Sequence, residues 1–344
     1  MAGPFYVDPA GDNSNGLSWA TAWITIQTAF DTAVAGEIIY CRGTQTLAAA
    51  IDVDINAGTN AAGWIKVIGC NAAGNVDGTR FILNGNAADI HILTAIGAAD
   101  MYWMENVEVK NTGGAAKNGF NFSTSSIDGW ILINCCANNC SGHGFSNGSI
   151  AFASFIRCIS YSNTLDGFYN SNGPNRYFFC CARDNSRDGF STLYTDVVYG
   201  CITHGNTDDG IGVLRYNTCL INTVIDGNAD DGIELAASTG LPTPLIIGCR
   251  ITNQSGAGSI GLNANSEPVV IGWCYFEDND GDNIQNATLH QFIPLEGGAL
   301  TSNLEDLANT EEGYVDKANH DFSTRYVDAG DPDLRRVAIT IPWS

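Results

Sequence analysis

Residues 163–168 read NTLDGF, 185–190 NSRDGF, 206–211 NTDDGI and 228–233 NADDGI. Looser copies flank these four at Asn118-Gly119-Phe120, His143-Gly144-Phe145, 258–260 and Asp282-Asn283-Ile284. The large apolar residue that closes each copy falls at 120, 145, 168, 190, 211, 233, 260 and 284. Self-similarity at this short period marks a solenoid. A second file, Cys135, Cys158, Cys180, Cys201, Thr223, Cys249 and Cys274, runs upstream of the copies and keeps step with them. The repeats are rich in β-branched, aromatic, Asn and Gly residues, so each period holds short strands joined by turns. The fold class predicted is all-β, a parallel β-helix with coils of roughly 22 residues.

Aligned residues of adjacent coils stack about 4.8 Å apart. If the cysteine file points inward, strand alternation predicts that Ile133, Ile156, Phe178, Tyr199, Ile221 and Ile247 do so too, together with Ala137, Ser160, Ala182, Thr203, Ile225 and Ile251. The adjoining file, Cys136, Ile159, Cys181, Ile202 and Val224, then points outward as an apolar stripe that requires a cover. Either the C-terminal segment or another protomer would supply it, and the expected assembly is a lateral homo-oligomer such as a trimer. Most of the 12 cysteines lie in core positions, where a free thiol behaves as a small hydrophobe, so reduced cysteines are expected. Cys135, Cys136, Cys140, Cys180 and Cys181 lack the paired CxxC spacing of a zinc site.

The chain has 344 residues and a formal net charge of −22, with lysine only at 66, 110, 117 and 317. That balance argues against nucleic acid or an anionic membrane as partner and suits cation binding. The stretch Met1-Ala2-Gly3-Pro4-Phe5-Tyr6 carries no signal-peptide pattern, and no apolar run approaches the roughly 18 residues of a membrane helix, so no membrane insertion is expected.

Residues 5–44, FYVDPAGDNSNGLSWATAWITIQTAFDTAVAGEIIYCRGT, resemble the opening of right-handed parallel β-helix proteins of the pectate-lyase-like superfamily. The shared pattern is a strand, a Gly/Asp/Asn-rich loop, a short helix and a first core strand. Ile24, Ile26, Phe30 and Ala33 can share one helix face, which would cap the open end of the first coil. The expected organisation is an N-terminal strand, loop and capping helix over 1–45, the β-helix over 46–289 and a capping or assembly segment over 290–344. Early strands are expected at 38–41, 64–68, 80–83 and 90–93. Within the last segment, 320–330 resembles the closing segment of extracellular or phage β-helix proteins, and 337–341 is an apolar strand candidate.

Two polar files remain. Asn163, Asn185, Asn206, Asn228 and Asn279 read as a structural ladder that bonds to itself and to the backbone. Asp166, Asp188, Asp209 and Asp231 have two readings: each carboxylate accepts its own turn's N–H groups and faces solvent, or Asp208, Asp209, Asp230 and Asp231 share a Ca²⁺. No other cofactor is expected. Arg187 could offset part of this charge.

Lyases of the resembled superfamily use a basic residue, and here only Arg183, Arg187 and His204 fall near the acidic file, while Lys110 and Lys117 lie upstream. Gly142-His143-Gly144 superficially matches a polygalacturonase motif, but His143 sits in the aspartate file and reads as a turn residue. If the chain is an enzyme, the candidates are Asp209, Asp231, Arg187 and His204. The leading expectation is a structural β-helix of a virus or phage particle, a decoration, tail or spike protein assembled in the host cytoplasm with other virion proteins and contacting carbohydrate. The alternatives are a polysaccharide lyase or glycoside hydrolase acting on an acidic polysaccharide, with an extracellular location as the alternative to the virion, and a bacterial surface adhesin.

Overall fold

The computed structural model describes residues 4–285 apart from 98, 123–126, 149, 172, 193–194, 215–216, 237–242, 266–267 and 282–283, together with 288–292, 314–316 and 321–324. The chain divides into two units, 1–297 and 298–344. The first is a solenoid of three parallel sheets with twelve, ten and ten strands, here called A, B and C in the order a coil visits them. One coil runs through Ile150–Ile156 in sheet A, Ile159–Tyr161 in sheet B and Phe168–Asn170 in sheet C. In the second unit Tyr314–Asp316 pairs antiparallel with Asp321–Thr324. The remaining expectations for 290–344, including the strand at 337–341, fall outside the described residues.

The apolar file that closes each NxxDG copy is the inner file of sheet C. Phe120, Phe145, Phe168, Phe190, Ile211, Ile233, Leu262 and Ile284 pair in register. Ile260 is thus replaced by Leu262, because that coil's turn is three residues longer before the strand resumes. Phe145 and Phe168 stack at 4.7 Å, and so do Phe168 and Phe190. Phe155 and Tyr177 of sheet A meet Phe168 edge-on at 5.9 and 5.6 Å. Burying each such side chain contributes about 1.5–3 kcal/mol.

The corner between sheets A and B corrects the predicted inward file. Leu132, Phe155, Tyr177, Val198, Leu220 and Ile246 are buried, whereas Ile133, Ile156, Phe178, Tyr199, Ile221 and Ile247 face outward and are half-buried. Between each outward residue and the cysteine row stands one residue in the left-handed region: Asn134, Arg157, Phe179, Gly200, Asn222 and Gly248. That residue turns the chain and resets the alternation, so cysteine is inward without its i−2 neighbour being so. Cys135, Cys158, Cys180, Cys201 and Cys249 are buried. Their thiols donate to carbonyls of the preceding coil, as in Cys180 Sγ to Phe155 O at 3.3 Å. All twelve cysteines are free. Ala137, Ser160, Ala182, Thr203, Ile225 and Ile251 are buried as predicted, and of the file predicted to face outward Ile159, Cys181, Ile202 and Val224 are half-buried whereas Cys136 is buried.

At the N-terminal end, Phe5–Val7 pairs with Ile38–Arg42 to begin sheet A. A helix, Ile26–Thr32, follows, capped by the Thr25 hydroxyl and burying Ile26, Ala29 and Phe30. Ile24 lies outside it and is exposed, because the helix starts only after the Thr25 cap. The Gln27 side chain donates to Asp52 O and accepts from Asp52 N, both at 2.8 Å, and so imitates one more strand against the first strand of sheet C. This blunts an edge that would otherwise template pairing. Ile65–Cys70 and Phe81–Asn84 lie where strands are expected, while the last early strand is Leu93–Ala95, downstream of 90–93.

Candidate functional site: the carboxylate ladder between sheets B and C

The NxxDG turn joins sheet B to sheet C and carries two ladders. In the amide ladder, Asn185 Nδ2 donates to Asn206 Oδ1 at 3.0 Å and Asn206 Nδ2 to Asn228 Oδ1 at 2.9 Å. The backbone N–H of each asparagine donates to the same oxygen, and Gln254 extends the file between Asn228 and Asn279. Asn185, Asn206, Asn228 and Gln254 are buried and Asn279 is half-buried, and the ladder locks the turn, as the sequence suggests. The glycine is fixed by close approach: a Cβ on Gly189 would stand 2.1 Å from Thr203 Oγ1 and 2.7 Å from Gly210 O.

The second ladder is made of acceptors. Asp188 N–H donates to Asp166 Oδ1 at 3.3 Å, Asp209 N–H to Asp188 Oδ1 at 3.4 Å, Asp231 N–H to Asp209 Oδ1 at 2.9 Å and Ile260 N–H to Asp231 Oδ1 at 2.8 Å. Each carboxylate therefore serves the next coil rather than its own turn. It lies along the solenoid axis, and the four residues are 0%, 3%, 6% and 7% exposed instead of solvent-facing. The file begins further upstream than the repeat motif suggests. Asn118 N–H donates to His91 Nδ1, His143 N–H to Asn118 Oδ1 and Asp166 N–H to His143 Nδ1.

Crowded burial perturbs the carboxylates. Burial, then the charges of Asp166 and Asp208, push Asp188 up to about 7, with Arg187 partly opposing. Asp209 is pushed up to about 9 by burial, then by Asp188, Glu234, Asp208 and Asp231. Burial also raises Asp231, against hydrogen bonds from Ile260 N–H and Asn263. Asp230 is raised by its partial burial and by Asp231 and Asp208.

Oxygens of Asp188, Asp208 and Asp209 lie within 4.8 Å of one another, as do those of Asp209, Asp230 and Asp231. The four predicted ligands thus fall into two triplets rather than one group, and the first triplet includes Asp188, which was not among them. Two carboxylate triplets sharing Asp209 make a hard-oxygen donor set, fitting calcium. A Cβ at 212 would stand 2.1 Å from Asp188 Oδ2, so any side chain there would have to displace that carboxylate.

The other candidates separate. Arg187 joins the ladder, its Nε 3.6 Å from Asp166 Oδ1. His204 lies instead in the outer file of sheet B, paired in register with Arg183 and Asp226. Lys110 and Lys117 pair with Glu108 and Asp89. His143, dismissed as a turn residue, sits one rung before the first carboxylate of the ladder, with its ring stacked on Tyr169 at 4.4 Å and its Nδ1 3.1 Å from Asp166 Oδ2. Only its place in the aspartate file hinted at this.

No protein-family model matches the chain, and no curated protein matches it in sequence. Among solved structures, pectate lyase Pel9A is similar at 18% identity over 84% of this chain and 78% of its own, with a TM-score of 0.67. The A-module of the Azotobacter vinelandii mannuronan C-5 epimerase AlgE4 matches at 17% identity, 83% and 81% coverage and a TM-score of 0.53. A rhamnogalacturonan lyase matches at 17% identity, 82% and 75% coverage and a TM-score of 0.50. The fold is the pectate-lyase-like parallel β-helix.

Proposed function

We propose that this chain is a polysaccharide-acting β-helix whose carboxylate ladder, loaded with calcium, holds an acidic polysaccharide against the turn between sheets B and C. The observation that carries this reading is the pair of carboxylate triplets sharing Asp209, three of whose five members are buried. Such a site is costly empty and would repel a uronate. Asp188, Asp208, Asp209, Asp230 and Asp231 would hold the cation, which supplies neutralisation of a sugar carboxylate. Glu234 and Asn263, next to the ladder in sheet C, border the same surface. The names of the fold's neighbours, two lyases and an epimerase of polysaccharides, agree with it.

The test is a calcium titration of chelator-stripped protein followed by thermal melting and by retention of polygalacturonate and alginate. Calcium should raise the melting temperature and be required for retention of at least one polymer. An unchanged melting temperature together with calcium-independent or absent retention sinks the reading.

A second reading, a structural protein of a virion that assembles laterally, is favoured by the outward apolar files on either side of the A–B corner. Ile156, Phe178, Tyr199 and Ile221 line one side, Ile159, Cys181, Ile202 and Val224 the other. Phe179 at the corner is 47% exposed. A trimeric native mass that becomes monomeric on Phe179→Ser would support it, and a monomeric parent would reject it.

A further inference from the structure

We infer that His143 and Tyr169 form a proton-transfer centre just upstream of the ladder's carboxylates, acting on a uronate of the polysaccharide held by the cation site; this rests on the function proposed above. His143 occupies the rung that aspartate fills in the next four coils. Its side chain is 13% exposed and lies flat on Tyr169, with 17° between the rings. Tyr169 is the one aromatic residue in the outer file of sheet C formed by Asn121, Ser146, Tyr169, Ser191 and Gly212. The pairing therefore occurs at one place in an otherwise repetitive surface, as a reaction centre requires and a repeated ladder does not provide.

The hydrogen bonding around Nδ1 gives the second argument. Asp166 N–H, 3.2 Å away, offers Nδ1 a proton to accept, while Asp166 Oδ2, 3.1 Å away, is buried and has no donor unless Nδ1 carries one. Each state of Nδ1 satisfies one of these partners and leaves the other wanting. When Nδ1 is protonated toward Asp166, the lone pair of the neutral ring is on Nε2, where it can act as a base. Asp166 is a positioning residue: wholly buried, held through Oδ1 by Asp188 N–H and accompanied by the Arg187 guanidinium. Arg187 stands between this centre and Asp188, with 47% of its side chain exposed, so it is placed to meet the carboxylate of the reacting sugar. Asp188 is two rungs along, roughly 10 Å at the usual spacing of parallel strands. The cation therefore anchors one uronate while its neighbour lies over His143.

The reaction that fits is β-elimination. His143 Nε2 takes the C5 proton, the C5–H electron pair becomes the C4–C5 double bond, and the C4–O4 bond breaks. The departing O4 takes the Tyr169 hydroxyl proton, and His143 returns its own proton to the phenolate. The products are a 4,5-unsaturated uronate and a new chain end, with no water or oxidant consumed.

The experiment incubates the full chain with calcium and polygalacturonate or alginate and follows the ultraviolet absorbance of unsaturated product, with binding measured in parallel. The parent should turn over at least one polymer. His143→Gln, which can still accept Asp166 N–H, and Tyr169→Phe, which keeps the stack, should each lower kcat by about 100-fold or more and leave binding intact. Asp166→Asn should lower kcat about tenfold or more at unchanged KM and shift the pH profile, which a merely structural role would not do. A parent that binds both polymers yet releases no unsaturated product overturns this inference and leaves the proposed function standing. Turnover within tenfold of the parent in both His143→Gln and Tyr169→Phe overturns it as well. Failure of the parent to bind either polymer overturns the proposed function itself, and the centre with it.

Discussion

Stripped of divalent cations, the protein should lose stability as pH rises from about 4 to about 8, and Asp188→Asn should remove much of that loss. Asp188 is 3% exposed and titrates at about 7, held there by burial and by the charges of Asp166 and Asp208. In the unfolded chain an aspartate titrates near 3.9. The native state thus binds more protons than the unfolded chain across the interval, and stability declines with pH throughout it. The contribution is complete below about 4 and is gone once pH has passed about 7. At about 1.4 kcal/mol per unit of difference, ionised Asp188 withdraws about 4 kcal/mol from the native state at pH 8. Asp209, pushed up to about 9, carries the decline past neutrality. At about 2 °C per kcal/mol for a large domain, the Asp188 share is about 8 °C in melting temperature. The assay is thermal melting in chelator at several pH values for the parent and Asp188→Asn. The amide keeps an oxygen for Asp209 N–H and has no proton to lose. The parent should melt lower at pH 8 than at pH 5, with a clearly flatter profile in the variant, and excess calcium should restore the parent because it binds only the folded ladder. Parallel profiles for parent and variant would refute the reasoning.

Three further outcomes follow from the packing. Asn206→Ala strands the Asn185 amide and backbone N–H inside the turn and should cost about 3 kcal/mol, read as a drop in melting temperature with sheet content retained. Gly212→Ala places a methyl against Asp188 Oδ2 and should weaken calcium about tenfold in a melting titration, although no ligand is changed. Phe168→Ala, between Phe145 and Phe190, should cost about 3–5 kcal/mol in denaturant unfolding.

The period, the inner file of sheet C and the amide ladder are legible in the sequence because each recurs at one position in coil after coil. The A–B corner is not. Its left-handed position is filled by Asn134, Gly200, Asn222 and Gly248, which announce a turn, but also by Arg157, Phe179 and Trp273, which do not. Bulky residues there are strained by about 1–3 kcal/mol and persist only because the stacked coils on either side impose the conformation. Without that corner, strand alternation carries the wrong side of sheet A inward. Ile260 misleads for a related reason: it accepts the ladder's position in its coil but not the strand's, since Leu262 takes the core site. The site is half legible. Asp208, Asp209, Asp230 and Asp231 advertise themselves as adjacent pairs, whereas Asp188 and His143 look like ordinary turn residues until the coils are stacked.

The acceptor ladder separates what the fold requires from what it leaves free. Each rung needs a side chain that accepts the next coil's buried N–H, and the file His91, Asn118, His143, Asp166, Asp188, Asp209, Asp231 shows three chemistries that do so. Asn118 meets the need without charge, at 3.0 Å to His143 N–H. An amide at 188, 209 and 231 would serve the backbone equally and avoid the mutual repulsion that lifts Asp188 and Asp209 to about 7 and 9. Hydrogen bonding therefore accounts for an acceptor at these rungs and not for its charge. The carboxylates from Asp188 to Asp231, with Asp208 and Asp230 beside two of them, are what the proposed calcium site would require, whereas Asp166 has Arg187 at 3.6 Å as its positive partner.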